Sequence, residues 1–207
     1  MALIVTHDAK LIVRAPHRAS LKDIDKFIHE KSSWIRRKFL EASERPVAKD
    51  RSFCDGEKFL FLGKEYSLKT DEKLGAPVLT GEELRVPEGH PAVVRNSLVR
   101  WYKTKAQEVL EERVRLCSPQ AQPEFRSLRI SDAKTRWGSC GFKGSLNFSW
   151  RLVMAPLEVV DYVAAHELAH LKEKNHSPRF WEEVEVLMPG YSKHRSWLRT
   201  NGHLLTL

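Results

Sequence analysis

The chain has 207 residues, a formal charge of +8, and 42% hydrophobic and 30% charged residues, which suits a globular chain with one sizeable core or two small ones and excludes a disordered or fibrous class. No apolar run approaches the roughly 18 residues of a membrane-spanning helix, and the N-terminal stretch lacks the basic start and apolar length of a signal peptide. Three widely spaced cysteines, Cys54, Cys117 and Cys140, suggest neither a disulfide framework nor a cysteine zinc knuckle, so a reducing, cytoplasmic setting without a membrane partner is expected.

Short strands are expected at residues 3–5 and 11–13. A helix from residue 20 to about 42 follows, with Ser20 as N-cap and Leu21, Ile24, Phe27, Ile28, Ile35 and Phe39 as its apolar stripe. Residues 53–69 read as a hairpin turning at Gly63-Lys64, and 78–86 as two more strands about Gly81. The breaker cluster Pro87-Glu88-Gly89-His90-Pro91 is the expected boundary between an N-terminal α+β region (1–90) and a second domain (91–207).

A long helix over about 92–116 opens the second part. Strands then recur between 125 and 153, and Leu146, Phe148, Trp150 and Leu152 alternate on one face of the clearest of them. Helices are expected from Pro156 to about Lys174, from Ser177-Pro178 to Leu187, and over 193–199. The fold class expected is therefore α+β, a β-rich N-terminal region with one long helix joined to a C-terminal half in which a site-bearing helix lies beside a mixed or antiparallel sheet.

That helix carries His166-Glu167-Leu168-Ala169-His170. Residues four apart lie one turn apart and about 40° around the axis, so His166 and His170 can face one ion. Glu167 can then reach a water beside the ion without ligating it. His176 on a continuing helix would sit about 240° from His170, so it joins the site only if the chain breaks after His170. Asn175, which tolerates left-handed geometry, and Ser177-Pro178, which opens a helix, supply such a break. Among Glu182, Glu183 and Glu185, a downstream glutamate is an alternative third ligand. Three imidazoles favour zinc among abundant metals.

Tyr191 and His194 are candidates for stabilising a tetrahedral oxyanion. The strand carrying Asn147 and Ser149 precedes the site helix; as a sheet edge it would pair with an extended peptide and use those residues for substrate binding. Cys140 is expected to pack rather than ligate, and Trp137 to line core or pocket.

Charge is uneven: +4 over residues 1–50, −2 over 51–90, +5 over 91–140 and +1 over 141–207. The basic N-terminal half could attract nucleic acid, making a zinc-stabilised nucleic-acid-binding module, or a DNA-associated protease, the competing readings. No basic run exceeds Arg36-Arg37-Lys38, and a purely structural zinc site has no use for Glu167.

Arg136-Trp137-Gly138-Ser139-Cys140, the strand leading to Trp150-Arg151-Leu152-Val153-Met154-Ala155-Pro156, the His166–His170 motif, and Asn175-His176-Ser177 with Phe180-Trp181 together resemble the YgjP-like metallopeptidase family, a relative of the SprT-like and WLM zinc proteases. The likeness is strongest over about 125–202 and extends more weakly to Val13-Arg14-Ala15-Pro16 and Lys31-Ser32-Ser33-Trp34-Ile35. The resemblance implies a zincin-like fold acting on protein or peptide substrates. It also implies one zinc ion on His166, His170 and His176, with Glu167 as the catalytic glutamate.

Overall fold

A computed structural model describes residues 1–5, 10–43, 51–117 and 125–207, the side chains of 41–43 excepted. The chain divides into two compact units, residues 1–49 and 50–207.

In the first unit, β1 (Ala2–Val5) pairs antiparallel with β2 (Leu11–Arg14), Leu3 opposite Val13 and Ile4 opposite Ile12. Ser20 caps α1 (Leu21–Glu30) by accepting the Asp23 N–H at 3.1 Å. The single helix expected over 20–42 is two, because Lys31 leaves helical geometry (φ −101°, ψ 10°) before α2 (Ser32–Ser43) begins. The spacing hints at this break: Ile28 to Ile35 is a seven-residue gap in the apolar stripe.

The second unit opens with a sheet of order β3-β4-β6-β5, formed by β3 (Lys58–Phe61), β4 (Lys64–Asp71), β5 (Val78–Thr80) and β6 (Glu83–Pro87). The β3–β4 and β5–β6 pairs are antiparallel, whereas β4 and β6 run parallel. The β3–β4 turn places Leu62 (φ 49°) and Gly63 (φ 76°) in left-handed geometry, as a two-residue hairpin turn requires. A Cβ on Gly63 would lie 2.9 Å from Pro156 Cα, and Leu62 N–H donates to the Val153 carbonyl at 2.7 Å. This turn therefore abuts the segment that leads into the site helix.

The breaker cluster at 87–91 lies within this unit, between β6 and α3 (Pro91–Cys117). Along α3, Val94, Leu98, Tyr102, Ala106, Leu110 and Val114 recur every fourth residue, and all are buried. Tyr102 donates its hydroxyl to the Leu60 carbonyl at 2.7 Å, which satisfies the polar end of a buried ring.

A second sheet has the order β7-β9-β8, from β7 (Ser127–Ser131), β8 (Gly138–Cys140) and β9 (Ser145–Ser149). It is mixed: β7 runs parallel and β8 antiparallel to β9. Leu146, Phe148, Trp150 and Leu152 are all buried, as their alternation implies. The strand nevertheless stops at Ser149, and Trp150–Met154 forms a 3₁₀ turn in which every residue is buried. There the Trp150 indole N–H (2.7 Å) and the Arg151 guanidinium (2.6 Å) both donate to Asp132 Oδ1.

α4 (Leu157–Lys172), α5 (Pro178–Leu187) and α6 (Ser192–Asn201) complete the unit. α4 packs against α3, α5, α6 and β8. A two-pronged ion pair from Arg113 on α3 to Asp161 on α4 (2.5 and 2.9 Å) ties the two helices together. No helix among the described residues is long and apolar enough to cross a membrane.

Candidate metal centre

Both faces of α4 are buried, Val160, Ala164 and Leu168 on one side and Val159 and Val163 on the other. The last two turns then carry His166 and His170, both half-buried, with Glu167 between them and buried (5% exposed). The helix ends at Glu173, whose extended backbone (φ −117°, ψ 111°) turns the chain out of helical geometry. Asn175 does not take the left-handed conformation expected of it; the positive-φ non-glycine residues described are Phe53 and Leu62. Ser177 then caps α5 by accepting the Phe180 N–H, with Pro178 at the first helical position.

This reversal brings His176 back to the helix. One ligand atom from each of His166, His170 and His176 lies within 4.8 Å of the others. The facing Nε2 atoms of His166 and His176 are 3.1 Å apart, close to the roughly 3.3 Å edge of a tetrahedron with 2.0–2.1 Å metal–nitrogen bonds. His170 directs Nδ1 at the Glu173 carbonyl (2.9 Å), which leaves Nε2 for the cluster. Among the described residues no glutamate enters this group; Glu183 pairs with Lys172, and Glu185 accepts the Gly190 N–H.

Phe180 sets the rings from below. It is fully buried, and its centroid lies 4.8, 4.4 and 4.8 Å from those of His166, His170 and His176. Burial, reinforced by His170 and His176, pulls the His166 imidazolium down to about 3, and burial likewise lowers His170. These rings are neutral at physiological pH, the state in which a nitrogen lone pair is free for a cation.

Burial pushes Glu167 up to about 8, with Arg136 opposing. Its Oε2 is buried without a hydrogen-bond partner among the described residues, as is His166 Nδ1. An unpartnered buried carboxyl oxygen is costly, and a bound water or cation would offset that cost. Three imidazoles with ligand atoms this close together are a donor set that a divalent cation fits.

The remaining expected site residues are more scattered. Tyr191 stacks between Tyr162 (6.1 Å, 11°) and Trp181 (5.3 Å, 11°), beside the triad. Burial, with Lys193 adding, lowers His194, while Glu158 and Asp161 on the first half of α4 oppose this. Asn147 sits in β9 opposite Ser139 and Arg129. Ser149 is buried and donates to the Ala133 carbonyl at 2.7 Å. β9 is the centre of its sheet rather than the expected edge, because β8 covers the flank toward α4; the edge strand beside the site helix is β8. Cys140 is a half-buried free thiol outside the histidine cluster, pushed up by burial.

Sequence reasoning missed the base that Phe180 provides, the approach of Gly138 to Glu167, and Arg195. An apolar residue in the first turn after the ligand loop is a signal for the first. The other two depend on contacts between segments far apart in the chain.

The sequence matches the family described as YgjP-like, metallopeptidase domain, over residues 1–201. Among solved structures it is similar to the crystal structure of the metallopeptidase zymogen of Pyrococcus abyssi abylysin. The two share 26% identity over 44% of this chain and 93% of that one, with a TM-score of 0.39. No curated protein matches the chain.

Proposed function

The chain belongs to the YgjP-like metallopeptidase family, and from that membership we propose that it is a zinc-dependent peptidase with a zincin-like arrangement of sheet and site helix. The observation that carries this reading is the convergence of the His166, His170 and His176 nitrogens beside the buried carboxyl of Glu167.

His166, His170 and His176 would hold one zinc ion and leave a position open to solvent. Zinc bound there supplies Lewis acidity, which acidifies water and polarises a carbonyl. Glu167 is the proton carrier: its carboxylate accepts a proton from the attacking water and delivers it to the leaving amine nitrogen. The protein or peptide substrate lies extended along β8, the edge strand beside α4, with main-chain hydrogen bonds setting its register. Tyr191, within the aromatic stack next to the triad, stabilises the oxyanion.

Metal analysis of the purified protein, paired with casein cleavage by wild type and Glu167→Gln, tests the proposal. Both proteins should carry one zinc per chain, and only the wild type should cleave. Equal cleavage by the two, or a chain that binds no metal, overturns it.

A further inference from the structure

Three described arginines lie over aromatic rings. Arg151 stacks on Trp150 (4.2 Å to the centroid) and donates to Asp132 Oδ1 at 2.6 Å. Arg51 stacks on Phe59 (4.7 Å) and pairs with Glu57 at 3.4 Å. Arg195 stacks on Trp181 at 4.1 Å, yet its guanidinium meets no carboxylate among the described residues. A guanidinium fixed on a ring has its face occupied and its rotamers restricted, while the planar fork of N–H donors stays free for a two-oxygen acceptor. In two places this chain supplies that acceptor itself; at the third no described residue does.

The third place is the wall of the candidate metal centre. The Trp181 ring lies 5.8 Å from the His166 ring and 5.7 Å from the His176 ring. Trp181 is held in turn by Tyr191, and Tyr191 by Tyr162. Arg195 projects from α6 one turn after Tyr191, and its backbone N–H bonds the Tyr191 carbonyl at 3.0 Å. It is exposed to solvent, so an incoming ligand can reach it.

We infer that Arg195, held on Trp181, forms a carboxylate-binding subsite beside the histidine triad and selects substrates bearing a carboxylate next to the scissile bond. The carboxylate comes from an Asp or Glu side chain or from a free C-terminus. This inference rests on the peptidase reading and adds its substrate class.

The test uses three acetyl-capped peptides of one length: an internal Glu with an amidated end, Gln in its place with an amidated end, and the Gln peptide with a free C-terminus. Binding to metal-free protein is followed by calorimetry, and cleavage by metal-loaded protein by kcat/KM, for wild type, Arg195→Gln and Arg195→Lys. Wild type should prefer one or both carboxylate peptides over the neutral one by on the order of tenfold or more, and the favoured peptide identifies the source. Arg195→Gln should abolish the preference, mainly through KM, without changing zinc content. Arg195→Lys should restore part of it, since charge returns without the fork.

Equal binding and equal kcat/KM for all three peptides overturns the subsite and leaves the peptidase reading intact. A uniform fall in kcat for acidic and neutral peptides in Arg195→Gln also overturns it. Conversely, if no peptide is cleaved but metal-free protein still prefers the carboxylates, the subsite stands and the peptidase reading falls.

Discussion

A Cβ placed on Gly138 would lie 2.5 Å from Glu167 Oε1 and 2.6 Å from its Cγ. The edge strand β8 and the carboxyl proposed to carry the proton thus share a space that admits no side chain. Gly138→Ala should displace Glu167 while leaving the three imidazoles in place. The expected outcome is a fall in kcat of tenfold or more, since a misplacement of about 1 Å can cost a hundredfold, with zinc stoichiometry unchanged. A variant with wild-type kcat would show that Glu167 acts from elsewhere.

Phe180 sits under all three histidines and is fully buried. Phe180→Ala should cost about 3–5 kcal/mol of stability, the range for emptying a buried aromatic site, and should weaken zinc affinity because the rings lose their common support. Phe180→Leu should recover much of both. Chemical denaturation and competition with a chromophoric chelator read the two effects separately. Full zinc affinity in the alanine variant would mean that the rings are held by their own helices alone.

Metal binding should stabilise the fold. A ligand that binds only the folded chain adds about 4 kcal/mol at a thousandfold excess over its Kd. Thermal melts should therefore rise with added zinc and fall with chelator. His176→Ala should remove most of that rise, because His176 is brought to the cluster by the reversal between α4 and α5. A zinc response preserved in His176→Ala would point to a different third ligand.

Acid sensitivity should arise in part at Asp132. Burial raises its pKa, but hydrogen bonds from Arg151 and Trp150 outweigh that and hold it below the ordinary carboxylate value. A depressed pKa means the fold favours the charged form. Its contribution is therefore complete above about pH 4 and is lost as pH falls through the lower folded value. Arg151 is 8% exposed but Asp132 58%, so water screens the pair; Asp132→Asn should cost about 1–2 kcal/mol at neutral pH rather than the loss typical of a fully buried pair. Denaturant midpoints between pH 2 and 7 should show a shallower acid limb in the variant. An unchanged limb would place the acid-labile group elsewhere.

Local signals placed most elements within a residue or two. Ser177-Pro178 opens α5 because a hydroxyl can cap and a proline lacks only an N–H that the first turn would leave unpaired. Alternation in 145–152 identified the buried side chains, but it missed the end of the strand, because from Trp150 onward both parities are buried and period two carries no information. Charge excess in residues 1–50 and 91–140 was legible too, yet it specifies no partner by itself.

The spacing of His166, Glu167 and His170 was determined by the sequence alone, since 3.6 residues per turn set those three side chains in relation to each other before any packing occurs. The order of the strands was not: β8 rather than β9 lies at the edge, because β8 folds back antiparallel on β9 and takes the flank toward α4. The approach of His176 to His166 and His170, the contact of Gly138 with Glu167 and the stacking of Arg195 on Trp181 likewise arose only when separate segments met. Each depends on distances across the fold, and a pattern along one chain cannot encode them.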